Sequence, residues 1–226
     1  MGIAYNPSVV TSGLVFCVDA GNPRSYPGSG TSWRDVGGIL SPSTLVNGPT
    51  YTSTSPGFFT FYGVDDYGTL QNTTLGNGNL AWTCSAWVRT TTTVNALGQG
   101  SVLSNASGGP VYSMMGVNNG KIVYWTYQNS AWSQKLGIAT VNDNVWRMLT
   151  WVNYTNSTMD MYVDGVLDSN VANSTSGNNN PIDRLGGSWN SSFSGSISQI
   201  LIYQSVSLTA AQVLQNFNTA RGRYGR

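Results

Sequence analysis

The sequence predicts an all-β protein, a two-sheet antiparallel β-sandwich with one short C-terminal helix. Three observations predict it. Short runs of β-branched and aromatic residues recur along the chain, separated by Gly-, Asn-, Pro- and Ser-rich breaks. Two of those breaks, Asn118-Asn119-Gly120 and Asp164-Gly165, suit the positive φ angles of a tight hairpin turn. Only one stretch, about 209–221, carries helical spacing with recognisable ends. With no repeats or domain-scale linkers, residues 1–226 read as a single domain, a size that all-β sandwiches reach as one unit.

Gly13–Asp19 is nearly all apolar and suits a central strand. Ala20–Gly30 is a turn-rich loop, pinned to the core by Trp33 and Leu40. Gly48-Pro49 turns the chain into Thr50-Tyr51, and Phe58–Tyr62 and Tyr67–Leu70 follow as strands, with a loop at Asn77-Gly78. In Ala81–Arg89, Trp82, Cys84, Ala86 and Val88 share one face, and Thr83, Ser85, Trp87 and Arg89 the other. Val111–Val117, Lys121–Gln128 and Gln134–Thr140 form a meander. Trp146–Tyr154 and Met159–Val163 flank a polar turn at Thr155–Thr158, and Asp164-Gly165 leads into Val166–Asp168. In that unit Met159, Met161 and Val163 alternate with Asp160 and Tyr162. A hairpin is marginal alone, so a second sheet must cover its apolar face. Ser174–Asn180 is a polar loop, and Ile182–Trp189 and Ser196–Val206 complete the sheets. In the helix, Thr209 and Gln212 form a capping box and Leu208 and Val213 a hydrophobic staple. Val213 and Phe217 share a face with Leu214 beside them, and Gly222 is the expected stop.

Composition narrows function. Charged residues are 8% of the chain and the net charge is +1, against a usual charged share of about 25%. That excludes a strong electrostatic grip on nucleic acid or a membrane surface. So little charge suits a disordered chain, but 40% hydrophobic and 12% aromatic content builds a core. There is no histidine, and the nine acids (19, 35, 65, 66, 143, 160, 164, 168, 183) are all aspartate. Histidine-based acid–base chemistry, catalytic triads and histidine metal sites are thereby removed. Paired carboxylates of a glycosidase would have to be aspartates, and the adjacent Asp65 and Asp66 point opposite ways on a strand. No catalytic residue is therefore expected. Cys17 and Cys84 lie in apolar runs and read as buried, reduced thiols, with a disulfide as the alternative. No apolar run approaches the ~20 residues of a membrane span, and the first residues lack signal-peptide features, so synthesis in a cytoplasm is expected.

Three groups remain as candidate sites. Trp125 and Tyr127, alternate residues of one strand, point together, and Trp132 follows closely. They read either as a stacking platform for sugar rings or as filling of the core or an interface. Asp65, Asp66 and Asp143 are candidate oxygen ligands for calcium, with a structural turn as the alternative, and no other cofactor is expected. Arg221, Arg223 and Arg226 put three positive charges at the C-terminus, suited to the helix dipole and a solvated tail or to contact with an acidic neighbour in an assembly.

Several stretches together resemble the concanavalin A-like lectin/glucanase superfamily of the laminin-G-like type: Phe61–Tyr67, Trp82–Val88, Trp146 with Met161–Gly165, and Gly195–Tyr203 before the helix. Gly13–Asp35 and Leu208–Gly225 are similar to versions in virion proteins of tailed bacteriophages. The resemblance implies a jelly roll. It also implies a non-catalytic, surface-exposed virion structural protein, as a capsid decoration, head fibre or tail-associated module, with a fold suited to host-surface carbohydrate. Its partners would then be other virion proteins, further copies of itself and host glycans, with no nucleic acid and no membrane insertion. The alternative is a lectin or adhesin at a cell surface, not tied to a virion. A polysaccharide hydrolase is the remote alternative, because the superfamily's hydrolases use a glutamate motif that this chain lacks.

Overall fold

The hairpin 147–163 sets the register of its sheet. The computed structural model describes residues 8–37, 40–75, 80–93, 100–105, 112–128, 131–173, 181–188 and 192–226. The expected Asn77-Gly78 loop, the strand limits at Val111 and Trp189, and the Ser174–Asn180 loop lie outside the described residues. The first strands are β1 (Leu14–Asp19), β2 (Ser32–Trp33), β3 (Ser43–Val46), β4 (Thr50–Thr52), β5 (Phe58–Tyr62) and β6 (Tyr67–Thr74). Next come β7 (Trp82–Arg89), β8 (Ser101–Ser104), β9 (Tyr112–Asn118), β10 (Lys121–Gln128) and β11 (Ala131–Leu136). The chain continues through β12 (Arg147–Asn153), β13 (Thr158–Val163), β14 (Val166–Ala172), β15 (Pro181–Leu185), β16 (Ser194–Gln204) and α1 (Ala210–Ala220).

These strands form two antiparallel sheets of eight. The first runs β14-β13-β12-β7-β16-β5-β4, with β1 also pairing β16; the second runs β11-β10-β9-β8-β15-β6-β3-β2. Two-residue turns link β9 to β10 and β13 to β14. Asn119 (φ 50°) with Gly120 (φ 68°), and Asp164 (φ 53°) with Gly165 (φ 78°), hold the paired positive φ of a type I′ turn. Asp164 also accepts hydrogen bonds from Met148 N (2.9 Å), Arg147 (2.9 Å) and Arg226 (2.6 Å), which ties this turn to β12 and to the C-terminus.

The two sheets enclose the main core. Phe59, Phe61, Trp82, Cys84, Trp151, Met159 and Met161 face it from the first sheet, and Trp33, Leu103, Met115, Ile122 and Tyr124 from the second. Fully burying a side chain of this size contributes about 1.5–3 kcal/mol. The Trp151 indole N–H donates to the Val123 carbonyl (2.9 Å), joining the two sheets through a satisfied buried donor. Pro-rich loop 20–30 is anchored as expected, with Trp33 fully buried and Leu40 packed against the core.

A second cluster lies on the outer side of the first sheet. Trp87, Met148, Tyr162, Leu201 and Tyr203 are buried there by Val10 and by Leu208, Val213, Phe217 and Tyr224. Asn216 joins α1 to the segment before β1: its Oδ1 accepts from Val10 N (2.9 Å) and its Nδ2 donates to the Tyr203 hydroxyl (3.0 Å), which donates to the Val10 carbonyl (2.9 Å). The capping box of Thr209 and Gln212 is present on α1. Gly222, the expected stop, instead sits inside a 3-10 turn, Arg221–Tyr224, which ends at the left-handed Gly225 (φ 69°). Stacking of Tyr224 on Trp87 at 3.9 Å holds the chain helical for that extra turn.

Candidate functional site

The outer sides of the two sheets differ. The first is largely covered by Val9 and Val10 and by the segment 206–224. The second carries an aromatic patch, built by cross-strand register. On β10, Ile122 and Tyr124 enter the core, so Val123, Trp125 and Tyr127 point outward. Tyr127 lies opposite Trp132 of β11 on one side and Tyr112 of β9 on the other. Three aromatics therefore stand abreast, with Tyr127 and Trp132 centroids 4.9 Å apart and Tyr112 and Trp132 stacked at 6.1 Å. Trp125 sits one step along β10, edge-on to Trp132 at 5.4 Å, and packs with Met114 and Val123.

The structure thus brings Trp125, Tyr127 and Trp132 together and separates their roles. Trp125 is 8% exposed and forms the floor, whereas Trp132, 47% exposed, presents a ring to solvent from the outermost strand. Neither fills the inter-sheet core. The patch also recruits Tyr112, which sequence reading missed. A signal for it existed. A two-residue turn at Asn119-Gly120 fixes the β9–β10 register and so sets Tyr112 opposite Tyr127. Glycine opens the sheet beside the patch: a Cβ on Gly116 would lie 2.0 Å from the Gly100 carbonyl oxygen, so no side chain rises there. The arrangement offers apolar ring faces with few charges, the chemistry that stacks against the C–H faces of sugars.

The three aspartates do not converge. Asp66 is buried, accepts from Tyr62 N (2.7 Å) and has its pKa raised, chiefly by burial. Asp65 faces solvent and accepts from Asn47 Nδ2 (3.1 Å). Asp143 pairs with Arg147, whose hydrogen bond lowers the carboxyl's pKa. Among the described residues no group of three or more His, Cys, Asp or Glu side chains is placed to hold a metal.

Two of the three C-terminal arginines are used within the fold. Arg223 pairs with Asp19 (2.8 Å) and Arg226 with Asp164 (2.6 Å), while Arg221 is exposed. Both cysteines are buried free thiols, Cys17 in the outer cluster and Cys84 in the inter-sheet core. Burial pushes the Cys17 thiol up to about 12 and raises Cys84 further.

Solved structures share this architecture. Domain 4 of AbnA, a GH43 extracellular arabinanase from Geobacillus stearothermophilus determined in complex with arabinotriose, superposes with a TM-score of 0.71 at 17% identity, covering 90% of this chain and 97% of that one. The binding domain of Paraclostridial Mosquitocidal Protein 1 gives 0.68 at 16% identity, covering 92% of this chain and 52% of that one. The binding domain of botulinum neurotoxin DC, in complex with rat synaptotagmin II, gives 0.69 at 13%, covering 93% and 52%. This chain thus spans about half the length of the two toxin domains. At such identities the likeness is one of fold. No curated protein matches the chain by sequence. A family model does match, across residues 62–214, more than half of the chain. On that match and this sandwich, the protein belongs to the concanavalin A-like lectin/glucanases superfamily.

Proposed function

We propose that the protein is a non-catalytic carbohydrate-binding module, with Trp132, Tyr127 and Tyr112 as the stacking surface and Trp125 as its support. One observation carries this reading: the outer side of the second sheet holds a contiguous aromatic patch that ends in a half-exposed tryptophan. The arabinotriose complex of the similar arabinanase domain supports a sugar as the class of ligand. The absence of histidine and glutamate supports a binding rather than a catalytic role. So do the aspartates, which serve as structural acceptors: Asp35 for Cys17 N, Asp168 for Ile138 N and Ala139 N, and Asp160 for Tyr154.

The setting we propose is the surface of a tailed-phage particle, where the module would contact other virion proteins and further copies of itself. The likeness of Gly13–Asp35 and Leu208–Gly225 to phage virion proteins supports that setting, as does a surface rich in Asn, Ser and Thr. A glycan array followed by calorimetry tests the binding. Trp132→Ala is expected to weaken the best glycan by about 2 kcal/mol, roughly thirtyfold, the scale of an aromatic hot spot. The melting temperature should stay near that of the wild type. Equal binding by Trp132→Ala and Tyr127→Ala would remove the platform. Antibody labelling of purified particles tests the setting.

A further inference from the structure

A second feature lies on the opposite side of the sandwich, beyond the part of the first sheet that Val10 and the C-terminal helix cover. There a groove of about 240 Å³ is lined by Arg89 of β7, Thr60 and Tyr62 of β5, Ser196 of β16, and the Thr90–Thr92 segment. Among the described residues no carboxylate lines it. In a chain with 8% charged residues, a cation here needs a reason.

The Arg89 guanidinium is held by stacking rather than by ion pairing. Its Cζ lies 5.0 Å from the centroid of Phe58 and 5.1 Å from that of Trp146. These rings close an aromatic row across the sheet, in which Trp146 meets Phe58 at 5.5 Å and Tyr224 at 5.4 Å, and Tyr224 stacks on Trp87. Among the described residues, the Arg89 guanidinium forms no salt bridge and donates no hydrogen bond. By contrast Arg147, Arg223 and Arg226 all meet aspartates. Cation–π contact fixes the plane of a guanidinium and leaves its N–H edge open to solvent or a ligand. That edge borders a groove walled by hydroxyls. Backbone geometry maintains the wall. Gly195 (φ +155°) lets β16 approach β7 so closely that an added Cβ would stand 2.6 Å from the Arg89 carbonyl oxygen.

We propose that this groove is a binding site for a carboxylated monosaccharide, a uronate-class sugar acid. The planar fork matches a carboxylate through two parallel hydrogen bonds; Thr90 and Thr92 donate to the Ser194 carbonyl and Tyr62 pairs with Thr50, so the Thr60, Thr91 and Ser196 hydroxyls are the ones that meet the ring hydroxyls. A single unpaired cation balances a single negative charge, which favours a carboxylate over a doubly charged phosphate. The volume is below the roughly 300–1,000 Å³ of pockets for drug-sized ligands, so it suits one ring. The site is independent of the aromatic patch on the second sheet.

Titration of the full chain with methyl β-D-glucuronide, followed by ¹H–¹⁵N NMR including the arginine Nε–Hε signals, tests the proposal. The expected result is saturable movement of the Arg89 Nε–Hε and Thr90–Thr92 resonances, with Kd about 1 mM, the affinity of a small single-ring contact. Methyl β-D-glucoside, which lacks only the carboxylate, should bind at least about tenfold more weakly, as should Arg89→Gln. Trp132→Ala should titrate like the wild type, which separates this site from the aromatic patch. Arg89 signals unmoved by the glucuronide, or moved equally by the glucoside, overturn the proposal. If Arg89→Gln loses its near-UV circular dichroism, the two wild-type titrations alone decide.

Discussion

Replacing Asp164 separates the charge of the β13–β14 turn from its shape. The carboxylate accepts from Met148 N (2.9 Å), Arg147 (2.9 Å) and Arg226 (2.6 Å), and its side chain is 12% exposed. A fully exposed pair contributes about 0–1 kcal/mol and a buried pair broken from one side costs about 3–5 kcal/mol. The two arginines retain 19% and 27% exposure, and Arg147 keeps Asp143 as a partner, so the loss falls between these limits. For Asp164→Ala the charged acceptor accounts for about 2–3 kcal/mol. Alanine at φ 53° adds about 1 kcal/mol, because a Cβ without a local hydrogen bond is disfavoured in the left-handed region. Asp164→Asn keeps that φ and can still accept from Met148 N, so about 1–2 kcal/mol is expected. At this chain length 1 kcal/mol moves the melting temperature by roughly 2–4 °C. Calorimetry at neutral pH and low salt should therefore show drops of about 6–16 °C for alanine and about 2–8 °C for asparagine. Equal drops for the two variants, or an alanine variant within about 0.5 kcal/mol of wild type, would refute the assignment of the turn's stability to these ion pairs.

Two further outcomes are expected. Because the Arg147 hydrogen bond lowers the Asp143 pKa in the folded state, this pair's contribution is fully present above the unfolded value near 3.9 and is lost as pH falls through the folded value. The gap in urea midpoint between wild type and Asp143→Asn should thus be largest at neutral pH and shrink as the pH falls below the unfolded carboxylate value; a gap that widens on acidification contradicts the pairing. Cys17 and Cys84 should both resist a disulfide reagent at mildly alkaline pH in the native protein and both react once it is unfolded, since burial keeps each as the thiol. Rapid native labelling of either would show the clusters around them to be open.

Much of this fold is legible in local sequence because its turns and caps are local chemistry. Asn119-Gly120 and Asp164-Gly165 specify their hairpins, Thr209 and Gln212 specify the start of the helix, and alternation in Trp82–Arg89 assigns its two faces correctly. Short strands are less legible. The brief β2, β3 and β8 carry no extended alternation and form only through distant partners, such as Leu45 opposite Gly68. The edge strand β11 is exposed along most of its length, so burial leaves no pattern in it. Sequence alone therefore places it at Gln134–Thr140, whereas it spans Ala131–Leu136. The same holds for the sites. Trp125 and Tyr127 share a face by period alone, but Tyr112 joins them only through register. Arg89 acquires its meaning from Phe58 and Trp146, which are far away in the chain. Arg223 and Arg226 likewise find their aspartates only once the sheets have assembled.

The anchoring of Ser8, Val10 and the C-terminal segment against the first sheet has a practical corollary. Gln215 holds the Ser8 carbonyl, Asn216 holds Val10, and Arg226 reaches Asp164, all on the side away from Tyr112 and Trp132. A bead, fluorophore or fused scaffold joined after Arg226 would therefore sit behind the sandwich. The tryptophan side would stay turned toward solution, so immobilised copies would all present one orientation to whatever they meet.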